Sequence, residues 1–119
     1  MTMFNFKRID HINMRVKNLE KSFEFYNKIF GFEIKEKGFS QMSQRDYWII
    51  GLSNKGALCL YEDPKLKLKP GHIGHIGFNI DFQESMLQKL EELGVKVNYY
   101  NPSGILSYPN SQSIYIEDP

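Results

Sequence analysis

The chain has 119 residues, with 15 Lys and Arg against 14 Asp and Glu and a formal net charge of +1. A chain this long can bury a core of its own, and its interspersed, nearly balanced charge excludes the basic stripe of a nucleic-acid binder. One cysteine, Cys59, rules out an internal disulfide framework, and no apolar run approaches the roughly 18 residues that would cross a membrane. MTMFNFKRID lacks the continuous apolar stretch of a signal peptide, so a cytoplasmic protein with no nucleic-acid or membrane partner is expected.

From Ile9 to Val16 the residues alternate, with Ile12, Met14 and Val16 apolar and His11, Asn13 and Arg15 polar. Period two predicts a strand with one face on a core and the other face elsewhere. Asn18 is an N-cap residue type, and Leu19, Phe23, Tyr26, Ile29 and Phe30 recur at helical spacing until Gly31 ends the run. Residues 32–37, 46–52 and 57–61 read as three strands, with Gly38 and the 53–56 stretch as turns. Between Lys65 and Lys69 lysine alternates with leucine, between two prolines. That pattern suits a solvated connector or, more sharply, a contact to an anionic ligand.

The second half follows the same order. Residues 72–81 alternate, with Ile76, Phe78 and Ile80 on one face and His75, Gly77 and Asn79 on the other. Asp81 and Glu84 have the spacing of a capping box ahead of a helix with Met86, Leu87, Leu90 and Leu93 as its apolar stripe, closed by Gly94. Strands are predicted over 95–100 and 112–117, joined by a Pro/Ser/Gly/Asn-rich loop at 101–111 with the composition of a lid.

His11 and His75 stand 64 positions apart, and Gly31 and Gly94 stand 63 apart. Strand, helix and closing glycine therefore recur in step, which argues for an internal duplication. The expectation is a single α+β domain over 1–119, built from two βαβββ modules at 7–63 and 71–119. Helices would cover the apolar strand faces, and the polar faces would look into a shared cavity. Two neutral imidazoles on such strands suit a divalent transition metal, but a catalytic site commonly takes three protein ligands. A strand histidine can equally be a hydrogen-bonded surface residue, and His72, after a Pro-Gly turn, is read as one. Arg15 is either a bidentate anion contact or a solvated strand end. Asn13, Tyr47, Tyr61, Asn79 and Tyr108 are candidates to line the cavity, with Gln41, Trp48, Tyr99 and Tyr100 as further ones.

The run DHINMRVKNLEKSFEFYNKIFGFE resembles the opening module of the vicinal oxygen chelate superfamily, which includes glyoxalase I, extradiol dioxygenases and the fosfomycin and bleomycin resistance proteins. GHIGHIGFNI is similar to the opening strand of its second module and SIYIEDP to its penultimate strand, so the resemblance spans essentially the whole chain. It implies a half-open barrel of the glyoxalase/bleomycin-resistance type, a small-molecule substrate and a homodimer. In metal-dependent members it places ligands at His11 and His75. The position often held by Glu in glyoxalases falls at Cys59, as a soft-metal thiolate or simply a small buried thiol. The family's last ligand lies on a strand after the Asp-Pro turn, whereas this sequence stops at Pro119; Glu117 precedes the turn and does not take that role. The last strand therefore looks to be missing, and a truncated sequence is expected. Two functions fit. One is an enzyme in which Fe, Mn, Ni, Co or Zn chelates the vicinal oxygens of a substrate for lyase, isomerase, transferase or dioxygenase chemistry. The other is a metal-free binding protein of the bleomycin-resistance type that sequesters a small molecule.

Overall fold

A polar residue type that caps a helix, followed by amphipathic spacing, is enough to start the first helix, and the computed structural model of the chain shows how the rest is arranged around it. It describes residues 3–53, 55–67, 69, 71 and 73–119. The fold is mixed α+β and divides into two units, Met1–Leu68 with Pro119 and Lys69–Asp118.

In the first unit, β1 (Ile12–Val16) leads into α1 (Leu19–Phe30), followed by β2 (Glu33–Ser40), β3 (Arg45–Leu52) and β4 (Lys55–Glu62). The four strands form one sheet in the order β1-β4-β3-β2, with β1 parallel to β4 and the remaining pairs antiparallel. Asn18 is extended and its side chain accepts a hydrogen bond from the Lys21 amide at 2.8 Å, satisfying an otherwise unpaired donor of the first turn. A second first-turn donor, the Leu19 amide, is met by the Glu62 carboxylate at 3.0 Å. Gly31 ends the helix at φ 70°, a left-handed conformation in which a Cβ is costly. One face of α1 covers the apolar face of the sheet. Val16, Leu19, Tyr26, Phe32, Ile50, Leu58 and Leu60 are buried there, and each fully buried aliphatic side chain contributes about 1.5–3 kcal/mol.

Two details of this unit differ from the sequence expectation. Gly38 lies inside β2 rather than in a turn, and the reversal falls at 41–44, with Gln44 at φ 54°. The glycine is needed for a different reason: Tyr47 packs its ring where a Cβ on residue 38 would sit, 2.7 Å from the ring's Cζ. Trp48 is on the helix side of the sheet, edge-on to Phe23 at 5.9 Å, because strand alternation sends it away from Tyr47. It does not line the polar face.

The second unit contains α2 (Ser85–Glu92), β5 (Lys96–Val97), β6 (Leu106–Tyr108), β7 (Ser111–Ser113) and β8 (Ile116–Glu117). β5 pairs with β8 and β6 with β7, in two separate antiparallel pairs. Burial keeps the expected alternation over 75–79, with Ile76 and Phe78 half-buried and His75, Gly77 and Asn79 exposed, but Ile80, expected on the buried face, is exposed. Even so, no strand forms among the described residues of that stretch. A strand is defined by its ladder: in the first unit β1 draws its bonds from β4, whereas β8 here is two residues long and paired with β5. His72 lies outside the described residues.

Helix α2 starts later than Asp81 and Glu84 suggest. Its N-cap is Glu84, with no side-chain cap, and the chain enters the helix through tight backbone bonds from Met86 to Gln83 and from Leu87 to Glu84. The expected strand at 95–100 shrinks to β5, and the one at 112–117 is split between β7 and β8 at Ile114 and Tyr115. The 101–111 loop is itself folded. Asn101 accepts from the Gly104 amide and donates to the Ile105 carbonyl, both at 2.9 Å, and the β6–β7 hairpin follows. Gly94, at φ 76°, closes α2 as anticipated.

Candidate functional site

The pairing registers decide which side chains share the polar face of the first sheet. Asn13 is opposite Cys59 and Arg15 opposite Tyr61 across β1 and β4. Tyr61 and Cys59 in turn face Tyr47 and Ile49 on β3. Five expected residues, Asn13, Arg15, Tyr47, Cys59 and Tyr61, are thereby brought onto one surface, and His11 continues the polar side of β1 two residues before Asn13. Gln41 and Trp48 also belong to the first unit, whereas His75, Asn79, Tyr99, Tyr100 and Tyr108 belong to the second.

His11 is partly exposed, and its Nδ1 is 2.8 Å from Asp10 Oδ2. That hydrogen bond, foremost among several influences, holds the Asp10 carboxyl below the usual aspartate range. A carboxylate that accepts a hydrogen bond from Nδ1–H favours the tautomer in which Nε2 carries the free lone pair, as metal-ligating histidines generally require.

Arg15 and Arg45 both reach Asp63, at 3.6 and 3.4 Å, and Arg45 also donates to the Glu62 carbonyl at 3.3 Å. Asp63 is only 15% exposed while Arg15 is 59% exposed, so Asp63 is the anchor and Arg15 an ion-paired strand end. Cys59 is buried, and desolvation pushes its thiol up despite a hydrogen bond with Tyr61 that acts the other way. A raised thiol is a poor ligand and a poor nucleophile at neutral pH. Glu62 sits on the opposite face, occupied in capping α1.

Tyr47 donates to Glu36 Oε2 at 2.7 Å, a bond that raises the phenol above its ordinary range, and its ring lies 5.6 Å from that of Tyr61. Glu36 was not foreseen. A β-bulge between Ile34 and Glu36 leaves Lys35 without a partner, so Ile34 faces Ile50 while Glu36 faces Ile49. The bulge switches Glu36 to the polar side, a backbone event that strict alternation hides.

In the second unit, His75 packs edge-on against Tyr115 at 5.5 Å, and Tyr100 does the same at 5.4 Å. The Tyr108 and Tyr115 hydroxyls are hydrogen-bonded at 3.3 Å, which raises the Tyr115 phenol. Tyr115, the centre of this cluster, was missed because it falls where the expected strand breaks. Tyr99 is engaged elsewhere, donating to Glu91. Asn79 is exposed, Gln41 lies in the reversal after β2, and Lys65 and Lys67 are exposed.

As a test of fit to a divalent metal, the Asp10–His11 pair has the right donor chemistry. Among the described residues, however, no three His, Cys, Asp or Glu side chains gather into a group that could hold an ion.

The model of the Glyoxalase/Bleomycin resistance protein/Dioxygenase superfamily matches residues 8–105. The chain belongs to that superfamily. Within it, the chain is 29% identical over 113 residues to the trivalent organoarsenical cleaving enzyme of Bacillus sp. (strain MD1), covering 92% of this chain and 65% of that enzyme. It thus spans just under two thirds of that relative's length. Among solved structures, the glyoxalase family protein from Enterococcus faecalis superposes with a TM-score of 0.71 at 17% identity, covering 96% of this chain and 91% of that one. A mutant of the genomically encoded fosfomycin resistance protein of Listeria monocytogenes, complexed with Mn(II) and 1S,2S-dihydroxypropylphosphonic acid, gives 0.68 at 22% identity, covering 96% and 86%. These two likenesses establish the superfamily fold. No helix among the described residues is long and apolar enough to cross a membrane.

Proposed function

We propose that this protein is a metal-dependent small-molecule enzyme of the glyoxalase/dioxygenase superfamily, acting on a substrate with vicinal oxygens, with His11 and His75 as metal ligands. The observation that carries the reading is the contact of His11 Nδ1 with Asp10 Oδ2 at 2.8 Å, a carboxylate–imidazole pair of the kind that orients metal-ligating histidines. The Mn(II) complex of the fosfomycin resistance protein, a fold relative, supports it. A divalent ion bound there would act as a Lewis acid toward substrate oxygens, in lyase, isomerase, transferase or dioxygenase chemistry. The chain's own residues then have defined tasks. Asp10 orients His11, Asn13 offers hydrogen bonds beside it, and Tyr47 and Tyr61 bound the cavity. A cytoplasmic homodimer is part of the same proposal.

The activity of the organoarsenical cleaving relative is not carried over. Trivalent arsenic is a soft centre that favours thiolates. These 119 residues hold one cysteine, Cys59, and it is buried with a raised thiol.

A metal-free sequestering protein is the second reading, and the burial of Cys59, at the position where the resemblance puts a further ligand, favours it. Metal content decides between the two. Elemental analysis of the purified protein, its C-terminus verified by intact mass, is expected to find stoichiometric Mn, Fe, Co, Ni or Zn that a His11→Ala/His75→Ala variant loses. Failure to retain any of these ions after incubation with each would sink the enzyme reading and leave the binding protein.

A further inference from the structure

The bulge in β2 creates a feature that the metal reading does not use. Glu36 is exposed on the polar face, with Oε2 accepting from the Tyr47 hydroxyl at 2.7 Å. Tyr47 is held in that position by two neighbours. Its ring occupies the space above Gly38, where any side chain would collide with it, and on the other side it meets the Tyr61 ring at 5.6 Å and an interplanar angle of 44°. The arrangement depends on an irregular register, a bare glycine and a matched pair of phenols at once.

The nearby cations are committed elsewhere. Lys35 pairs with Glu33 at 3.6 Å, Lys37 crosses to the helix side and sits 4.2 Å from the Trp48 ring, and Arg15 and Arg45 share Asp63. Among the described residues no cation pairs with Glu36. Its carboxylate therefore presents uncompensated charge at the hydroxyl end of Tyr47, whose ring is packed with that of Tyr61. Hydrogen-bonding to Glu36 raises the Tyr47 phenol, so at neutral pH it stays a neutral donor and adds no second negative charge.

A carboxylate flanked by aromatic rings is the arrangement that recognises organic cations: the charge is met by the carboxylate, and the methylene or methyl groups are met by the rings. We propose that Glu36, Tyr47 and Tyr61 form a binding site for an organic ammonium group carried by the ligand of the polar face. The inference rests on that face being the ligand-binding one, but not on any metal. An ammonium N–H donates to Glu36 while its carbon substituents lie against Tyr61 and the exposed part of Tyr47. Tyr47 serves as a positioning residue that fixes the carboxylate, and Glu36 sets specificity for charge.

The full chain, titrated in EDTA-containing buffer with 2-phenylethylammonium and with its neutral counterpart 2-phenylethanol, tests this by calorimetry and by amide shifts along β2, β3 and β4. The ammonium is expected to bind about tenfold more tightly than the alcohol. Glu36→Gln should abolish that preference while leaving the circular dichroism spectrum intact. Tyr47→Phe should weaken it, and Glu33→Gln, which removes a different exposed carboxylate from the same strand, should leave it unchanged. Equal affinity for the two probes, no binding of the ammonium, or undiminished preference in Glu36→Gln would each overturn the proposal. Because EDTA removes divalent ions, a negative result here is separate from a negative result in the metal analysis.

Discussion

Cys59 shows how one position is decided by its surroundings rather than by its residue type. It points to the polar side of β4, opposite Asn13 and Ile49, yet it is only 5% exposed. Burial raises the thiol, so at any given pH a smaller fraction is thiolate than in the unfolded chain, and reaction is slowed by both charge state and access. At pH 8 an aromatic disulfide reagent is expected to modify native Cys59 at least about tenfold more slowly than the same chain in denaturant. Comparable rates in the two states would mean that the thiol is open and that its ligand role must be reconsidered. That Asn13, Arg15, Cys59 and Tyr61 share a face was legible because alternation alone assigns one. Glu36 was not, since a single unpaired residue at Lys35 inverts the faces on either side of it. Asp10 was legible only as a neighbour of His11 in sequence; its bond to Nδ1 is a side-chain event that no periodicity reports.

At the scale of elements, the two helices are started by different means, and this gives a quantitative contrast. Helix α1 has two side-chain acceptors for its first-turn amides, Asn18 at 2.8 Å and Glu62 at 3.0 Å. The first is local and readable in the sequence. The second comes from 43 positions away, at the end of β4, and needed the fold to reveal it. Asn18→Ala is expected to lower stability by about 1 kcal/mol, the usual cost of a lost N-cap. Glu62→Ala should cost about 1–3 kcal/mol, since it leaves a part-buried amide at a helix N-terminus without its charged acceptor. Asp81→Ala, by contrast, should change stability by less than about 0.5 kcal/mol, because α2 begins on backbone bonds instead. Urea unfolding midpoints at unchanged slope would measure all three. A loss at Asp81 equal to that at Asn18 would restore the capping box that the sequence suggested. The capping box misled because its residue types matched while the chain turned into the helix later, through a tight turn at Gln83 and Glu84.

For the molecule as a whole, the two halves that the sequence pattern suggests have similar helices and different hydrogen-bond ladders. Helix and closing glycine recur in both halves, each helix followed by a glycine with positive φ, Gly31 and Gly94. The hydrogen-bond ladders do not recur. In the first unit β1, β4, β3 and β2 form one continuous sheet, with Ile50, Leu58 and Leu60 fully buried beneath it. The second unit has two separate two-stranded pairs, and the residues equivalent to β1 alternate in burial without a ladder. Amphipathic alternation was legible because it records which side chains face a core. Pairing was not, because it depends on a partner segment elsewhere in the chain. Amides in a continuous, buried ladder open only in large, costly fluctuations, whereas amides without a ladder exchange through local ones. Native-state hydrogen exchange should therefore find the Leu58 and Leu60 amides among the slowest in the chain, and the amides of 74–80 exchanging orders of magnitude faster. Leu58→Ala should then cost about 2–5 kcal/mol and speed exchange throughout the four-stranded sheet. Protection at 74–80 equal to that at 58–60 would instead show that this stretch is paired in solution, and would give the second unit the β1–β4 ladder of the first.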